Sequence, residues 1–176
     1  MSSSIFDLLN RFNGRSRDVV ASEFLFRKGD PVEHLFLVLG GEIRLVRFLE
    51  NGDEIVLQRA GENSVLAEAS LFSQYYHCDA ICHLDAQIKM IRKHDIETHL
   101  ASNTQMALSL AQHLAREVQA TRQRAEVLRL RTVAERLDAW IAWHDGELPE
   151  KGNWRIIALE IGVSPEALYR EIALRR

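Results

Sequence analysis

The chain has 176 residues, 22 of them Lys or Arg and 25 Asp or Glu, for a formal net charge of -3. That length suits one large domain or two small ones, and no apolar run approaches the roughly 18 residues that span a bilayer. The stretch from Met1 to Phe12 lacks the basic start and long apolar core of a signal peptide, so the reading is a cytoplasmic protein with no membrane partner. The two cysteines, Cys78 and Cys82, exclude a disulfide framework and four-cysteine zinc or iron–sulfur sites.

The net charge argues against a nucleic-acid binder, but the charge is uneven. Met1 to Ala115 carries 11 basic and 15 acidic residues, whereas Arg116 to Arg176 carries 11 basic and 10 acidic. The second part permits DNA binding without indicating it.

Up to about Ala101, short apolar runs alternate with turn signals. Phe24–Phe26 precedes Gly29-Asp30-Pro31, and Leu35–Leu39 runs into Gly40-Gly41. Asn51-Gly52 lies between Ile43–Leu49 and Ile55–Leu57 and predicts a hairpin, because Asn and Gly tolerate positive φ. Gly61-Glu62-Asn63 is another turn, and Ala80–Cys82 and Gln87–Ile91 are further strand candidates. Short strands at this spacing predict an all-β sandwich or barrel.

From there on the pattern is helical. A helix predicted over Thr104 to Leu130 contains neither Gly nor Pro. Ala107, Ala111, Leu114, Val118, Thr121, Ala125 and Leu128 recur along it at alternating spacings of four and three, which is a heptad seam. The seam predicts a homodimer through Ala111, Leu114, Val118, Thr121, Ala125 and Leu128. An amphipathic helix over Thr132 to His144 follows, then two short helices over Trp154 to Ile161 and Pro165 to Arg176.

The last pair carries the sharpest signal. Ala158, Gly162 and Leu168 stand where a helix-turn-helix needs a small residue for close crossing, a glycine for the turn and an apolar plug for the core. Ser164 is a predicted N-cap and Pro165 a first helical residue. Glu166, Tyr169 and Arg170 then face outward, where Arg170 can donate two hydrogen bonds to a guanine and Glu166 can accept from a cytosine. The predicted DNA-binding set is Ser164, Glu166, Tyr169 and Arg170, with Arg175 and Arg176 on phosphates.

From about Val20 to Arg176 the chain resembles the catabolite activator/FNR (CRP/FNR) superfamily of bacterial transcription regulators. Phe26–Asp30 followed by Leu35–Ile43 is similar to the family's opening strands, Asn51–Leu57 to its next hairpin, and Val65–Phe72 to its phosphate-binding cassette. The resemblance implies an α+β chain. Its parts are a cyclic-nucleotide-binding-like sensor β-roll over 1–101, a dimerisation helix over 102–131 and a short helix-turn-helix domain over 132–176 that lacks an evident wing. The implied partners are a second copy, palindromic double-stranded DNA and RNA polymerase.

Within the cassette Glu68 sits at the family's ribose-binding glutamate, and Ala67 replaces a glycine. Cys78 and Asp79 stand where an Arg and a Ser or Thr would meet the cyclic phosphate, so this pocket is expected to repel that anion. Thr121 falls at a position that meets adenine in nucleotide-binding members. Met1 to Val20 holds no Cys, so an FNR-type iron–sulfur cluster is not expected. His77, Cys78, Cys82 and His83 are candidate ligands for haem or a metal, and no set of four converges among them. Haem or metal, another small ligand, and no ligand all stay open. The rival functional readings are an adaptor that binds a protein, and a thiol or metal enzyme for which no nucleophile–base–orienter set is present.

Overall fold

The computed structural model describes residues 4–144, 146–148 and 151–175. Ser4 caps the first helix, α1 (Ile5–Asn10), through a reciprocal box with Asp7, and Ile5 and Leu9 are buried. Six strands follow: β1 (Arg15–Val19), β2 (Phe24–Phe26), β3 (His34–Phe48), β4 (Glu54–Ala60), β5 (Ser64–Leu66) and β6 (Asp79–Arg92). They form one antiparallel sheet of order β1-β6-β3-β4, with β2 also on β6 and β5 also on β3. The helix α2 (Lys93–Ser102) comes next.

The runs read as separate strands are continuous. Leu35–Leu39 and Ile43–Phe48 are two parts of β3, and Ala80–Cys82 and Gln87–Ile91 are two parts of β6. Both long strands bend where their register shifts, around Gly40–Ile43. Gly41 has φ +83°, and a Cβ there would clash with the Asp85 carbonyl oxygen. The glycine pair is therefore a bulge inside a strand, which curls the sheet into a roll. Leu37, Val38, Ile43, Leu66 and Ile88 are fully buried in its core.

The chain divides into two compact units, Met1–Leu114 and Ala115–Arg176, and the division falls inside α3 (Thr104–Arg129). Met106 and Leu110, on the first turns of α3, belong to the core of the first unit. Val127, near its end, belongs to the core of the second. The second unit also contains α4 (Val133–Trp143), α5 (Trp154–Glu160) and α6 (Pro165–Leu174). Thr132 and Glu135 form a capping box at the start of α4. Leu137, Ile157, Ala158, Ile161 and Leu168 are fully or almost fully buried between these helices.

Candidate nucleic-acid interface and ligand cassette

The turn between α5 and α6 is built as a helix-turn-helix requires. Gly162 has φ +66°, and the Val163 amide donates to the Ala158 carbonyl at 2.9 Å. The Ser164 hydroxyl accepts from the Ala167 amide at 3.2 Å and Pro165 occupies the first helical position. Leu168 and Ile172 point into the core, which leaves Glu166 and Arg170 exposed on the opposite face of α6. Neither the Glu166 nor the Arg170 side chain is hydrogen-bonded or ion-paired among the described residues. Tyr169 is half-buried, its ring 5.7 Å from that of Trp154.

Arg175, expected on phosphates, is exposed and already ion-paired within the fold. Its guanidinium pairs with Asp138 of α4 and Glu171 of α6 and donates to the Ala134 carbonyl. These contacts fasten the end of α6 to α4. Arg176 lies outside the described residues.

Along α3, Ala111, Val118, Thr121, Ala125 and Leu128 are exposed, with Val118 at 47% and Leu128 at 45%. Leu114 is half-buried against the core of the first unit. A Cβ on Gly162 would lie 2.6 Å from the Leu128 Cδ2, so Leu128 also covers the turn.

In the cassette Ala67 has φ +71°, the left-handed conformation that a glycine adopts without strain. It opens the 3-10 turn Glu68–Ser70, in which Glu68 and Ser70 are buried. The Ser70 hydroxyl bonds the His77 Nδ1 at 2.8 Å. Cys78 is buried, and burial pushes its thiol up to about 11, with Asp79 adding to the rise and Arg47 opposing it. Asp79 does not stand free: its carboxylate accepts from the Lys28 amide at 3.1 Å. Arg47 of β3, unmarked in the sequence, donates to the His77 carbonyl at 3.5 Å. Position 78 thus offers a cyclic phosphate no cation, and the residues present do not reproduce the family's phosphate site.

The candidate metal ligands are dispersed. His77 is held by Ser70, while Cys82 donates to the carbonyls of Leu84 and Val19. His83 faces Glu42 at 4.0 Å. No group of three or more His, Cys, Asp or Glu that could hold a metal exists among the described residues. Burial raises the Cys82 thiol as well, so both cysteines are protonated, packed side chains at neutral pH.

Residues 16–103 match the cyclic nucleotide-binding domain model, half of the chain. The chain belongs to that family, within the CRP/FNR superfamily. A global nitrogen regulator of Synechocystis sp. is 27% identical over 162 residues, spanning 88% of this chain and 70% of that protein. FixK2 from Bradyrhizobium japonicum superposes with a TM-score of 0.73 at 18% identity, covering 93% of this chain and 84% of that one. The Thermus thermophilus catabolite activator protein does so with a TM-score of 0.57 at 22% identity, covering 97% and 81%. At those identities the two structures establish the fold. No helix among the described residues is long and apolar enough to cross a membrane.

Proposed function

We propose that this CRP/FNR chain is a dimeric, sequence-specific DNA-binding transcription regulator, controlled by an effector other than a cyclic nucleotide or by none. The observation that carries the reading is α6: a capped helix, seated on a glycine turn, with Arg170 and Glu166 exposed and uncommitted. Such a helix can enter a major groove and read base edges. The exposed Val118, Thr121 and Ala125 on a 26-residue helix support pairing with a second copy. The name of a relative, a global nitrogen regulator, supports a regulatory role.

Selection of random-sequence duplexes on the purified chain, followed by gel shift, tests the reading. The expected product is a palindrome with half-sites about 34 Å apart. Failure to enrich any sequence overturns it and favours a protein-binding adaptor. The effector clause has its own test. A ligand that binds the folded state raises the melting temperature through a stabilisation of RT ln(1 + [L]/Kd). Cyclic AMP and cyclic GMP are expected to give no shift, and a shift with either overturns the clause. If a shift occurs, its loss in Arg47→Ala identifies Arg47 as the cation that replaces the one missing at position 78.

A further inference from the structure

A cavity lies in the first unit, and no cassette residue lines it. It has a volume of about 560 Å³ and is lined by Asn13, Arg15, Arg17, His34 and Arg92, with Gly14 and Met90 completing the wall. The sheet topology brings these residues together. Arg15 pairs with Met90 where β1 begins, and His34 pairs with Arg92 where β3 begins and β6 ends. Arg15 and Arg17 are two residues apart on β1 and so share a face. Gly14 lets β1 enter the sheet here, because a Cβ would lie 2.7 Å from the Met90 carbonyl oxygen.

The charges do not balance within the cavity. Arg17 pairs with Glu23 at 2.6 Å and Arg92 with Asp95 at 2.9 Å. Arg15 has no acidic partner among the described residues. Three guanidinium groups therefore face two carboxylates, and each paired arginine keeps donors beyond those its partner uses. Guanidinium forks match carboxylate and phosphate oxygens two at a time. The volume falls in the range of small-molecule sites, about 300–1,000 Å³.

We propose that this cavity binds a small multivalent anion, an organic polycarboxylate or a phosphate compound, through Arg15, Arg17 and Arg92. A monovalent anion would satisfy Arg15 alone. An anion with two or more charged groups engages Arg15 together with the free donors of its neighbours, while the Asn13 amide and His34 imidazole meet its remaining polar atoms. The proposal rests on residues shared neither with the cassette nor with α6.

The test titrates the full chain calorimetrically with citrate and, separately, with pyrophosphate, at fixed ionic strength. Saturable binding of at least one is expected, and the preferred probe shows whether carboxylate or phosphate is the better match. Arg15→Gln is expected to weaken that binding by about tenfold or more, whereas Arg122→Gln on the exposed face of α3 leaves it unchanged. Amide shift mapping of the unaltered chain is expected to confine the response to residues around Gly14, Arg15, His34 and Arg92, which keeps the test decisive if Arg15→Gln folds poorly. Absence of saturable binding to both probes overturns the proposal. So does binding that survives Arg15→Gln, a shift map centred elsewhere, or binding only of an Asp- and Glu-rich peptide.

Discussion

The Arg136 guanidinium caps the turn at Gly162. Its Nη1 donates to the carbonyls of Ile161 and Gly162, both at 3.0 Å, while Nε and Nη2 donate to Leu130 and Leu128 at 2.9 and 3.2 Å. One side chain on α4 thus satisfies carbonyls left open at the ends of both α3 and α5. Gly162 completes the arrangement, because a Cβ there would meet the Leu128 Cδ2 at 2.6 Å and the Arg136 Nη1 at 3.4 Å.

Losing this hub should destabilise the second unit. Arg136→Ala leaves four carbonyls without the donor, and a charge-assisted hydrogen bond contributes about 1.5–3 kcal/mol net. A loss of about 2–4 kcal/mol is expected in urea unfolding followed by tryptophan fluorescence, since Trp140, Trp143 and Trp154 all lie in that unit. Arg136→Lys keeps the charge but not the planar fork, and should recover less than half of the loss. A change under about 0.5 kcal/mol for Arg136→Ala would show that water replaces the cap.

The dimer prediction is sharpened by what the seam residues touch. Leu114 packs on the core of the first unit and Leu128 covers Gly162, so substitutions there confound association with folding. Val118 is 47% exposed and Ala125 is exposed, which makes them the clean probes. Val118→Asp with Ala125→Asp should yield monomers in sedimentation, with an unchanged far-ultraviolet circular dichroism spectrum. Unaltered protein that sediments as a monomer at micromolar concentration would refute the seam.

Stability should fall at alkaline pH through three buried acids. Burial pushes Cys78 from 9.0 up to about 11, raises Cys82, and pushes Tyr76 from 10.0 up to about 12. Each group is more acidic in the unfolded chain than in the folded one. The folded state therefore holds more protons between the two values, and stability drops as pH rises there. The contribution is intact below pH 9 and lost progressively from 9 to about 11 for Cys78, and from 10 to about 12 for Tyr76. Melting temperature should be insensitive to thiol ionisation from pH 7 to pH 8.5 and decline above 9. Cys78→Ala with Cys82→Ala should make the decline shallower, and equal slopes in the two proteins would contradict the assignment.

The turn between α5 and α6 was legible because its code is local. A small residue, a positive-φ glycine and a Ser-Pro cap each constrain one backbone position, and all three hold at Ala158, Gly162 and Ser164-Pro165. The roll was legible in its runs but not in their continuity, because Gly40-Gly41 reads as a turn. The close pass over Asp85 and Ala86 depends on a partner more than 40 residues away. Helix α2 escaped notice because its apolar residues are few and only Ile96 is buried. Long-range polar partners were out of reach for the same reason. Nothing near Asp79 in sequence announces the Lys28 amide, and nothing near Arg175 announces Asp138. Charge alone pointed both residues toward a ligand, and the fold also gives each a partner of its own.

That pairing separates the roles of Arg170 and Arg175 on DNA. Arg170 is exposed on the outer face of α6, where an inserted helix meets base edges. Arg170→Ala should cost about 1–3 kcal/mol on the selected operator and relax the preference for one base pair, expected to be G·C. Glu166→Ala should relax the preference at a neighbouring position with little change in salt dependence, because it removes no phosphate contact. Arg175 is engaged by Asp138, Glu171 and the Ala134 carbonyl, so its replacement acts on folding first. Arg175→Ala should lower the melting temperature of the second unit. Below that melting point it should leave the salt dependence of operator binding unaltered, since a phosphate contact would contribute about one unit of the slope of log K against log salt concentration. Gel shifts at three salt concentrations, paired with thermal melts of the same four proteins, make the comparison. A flattened slope in Arg175→Ala with an unchanged melt would return that residue to the phosphates. An Arg170→Ala protein that keeps both its affinity and its base preference would remove α6 from the reading of DNA.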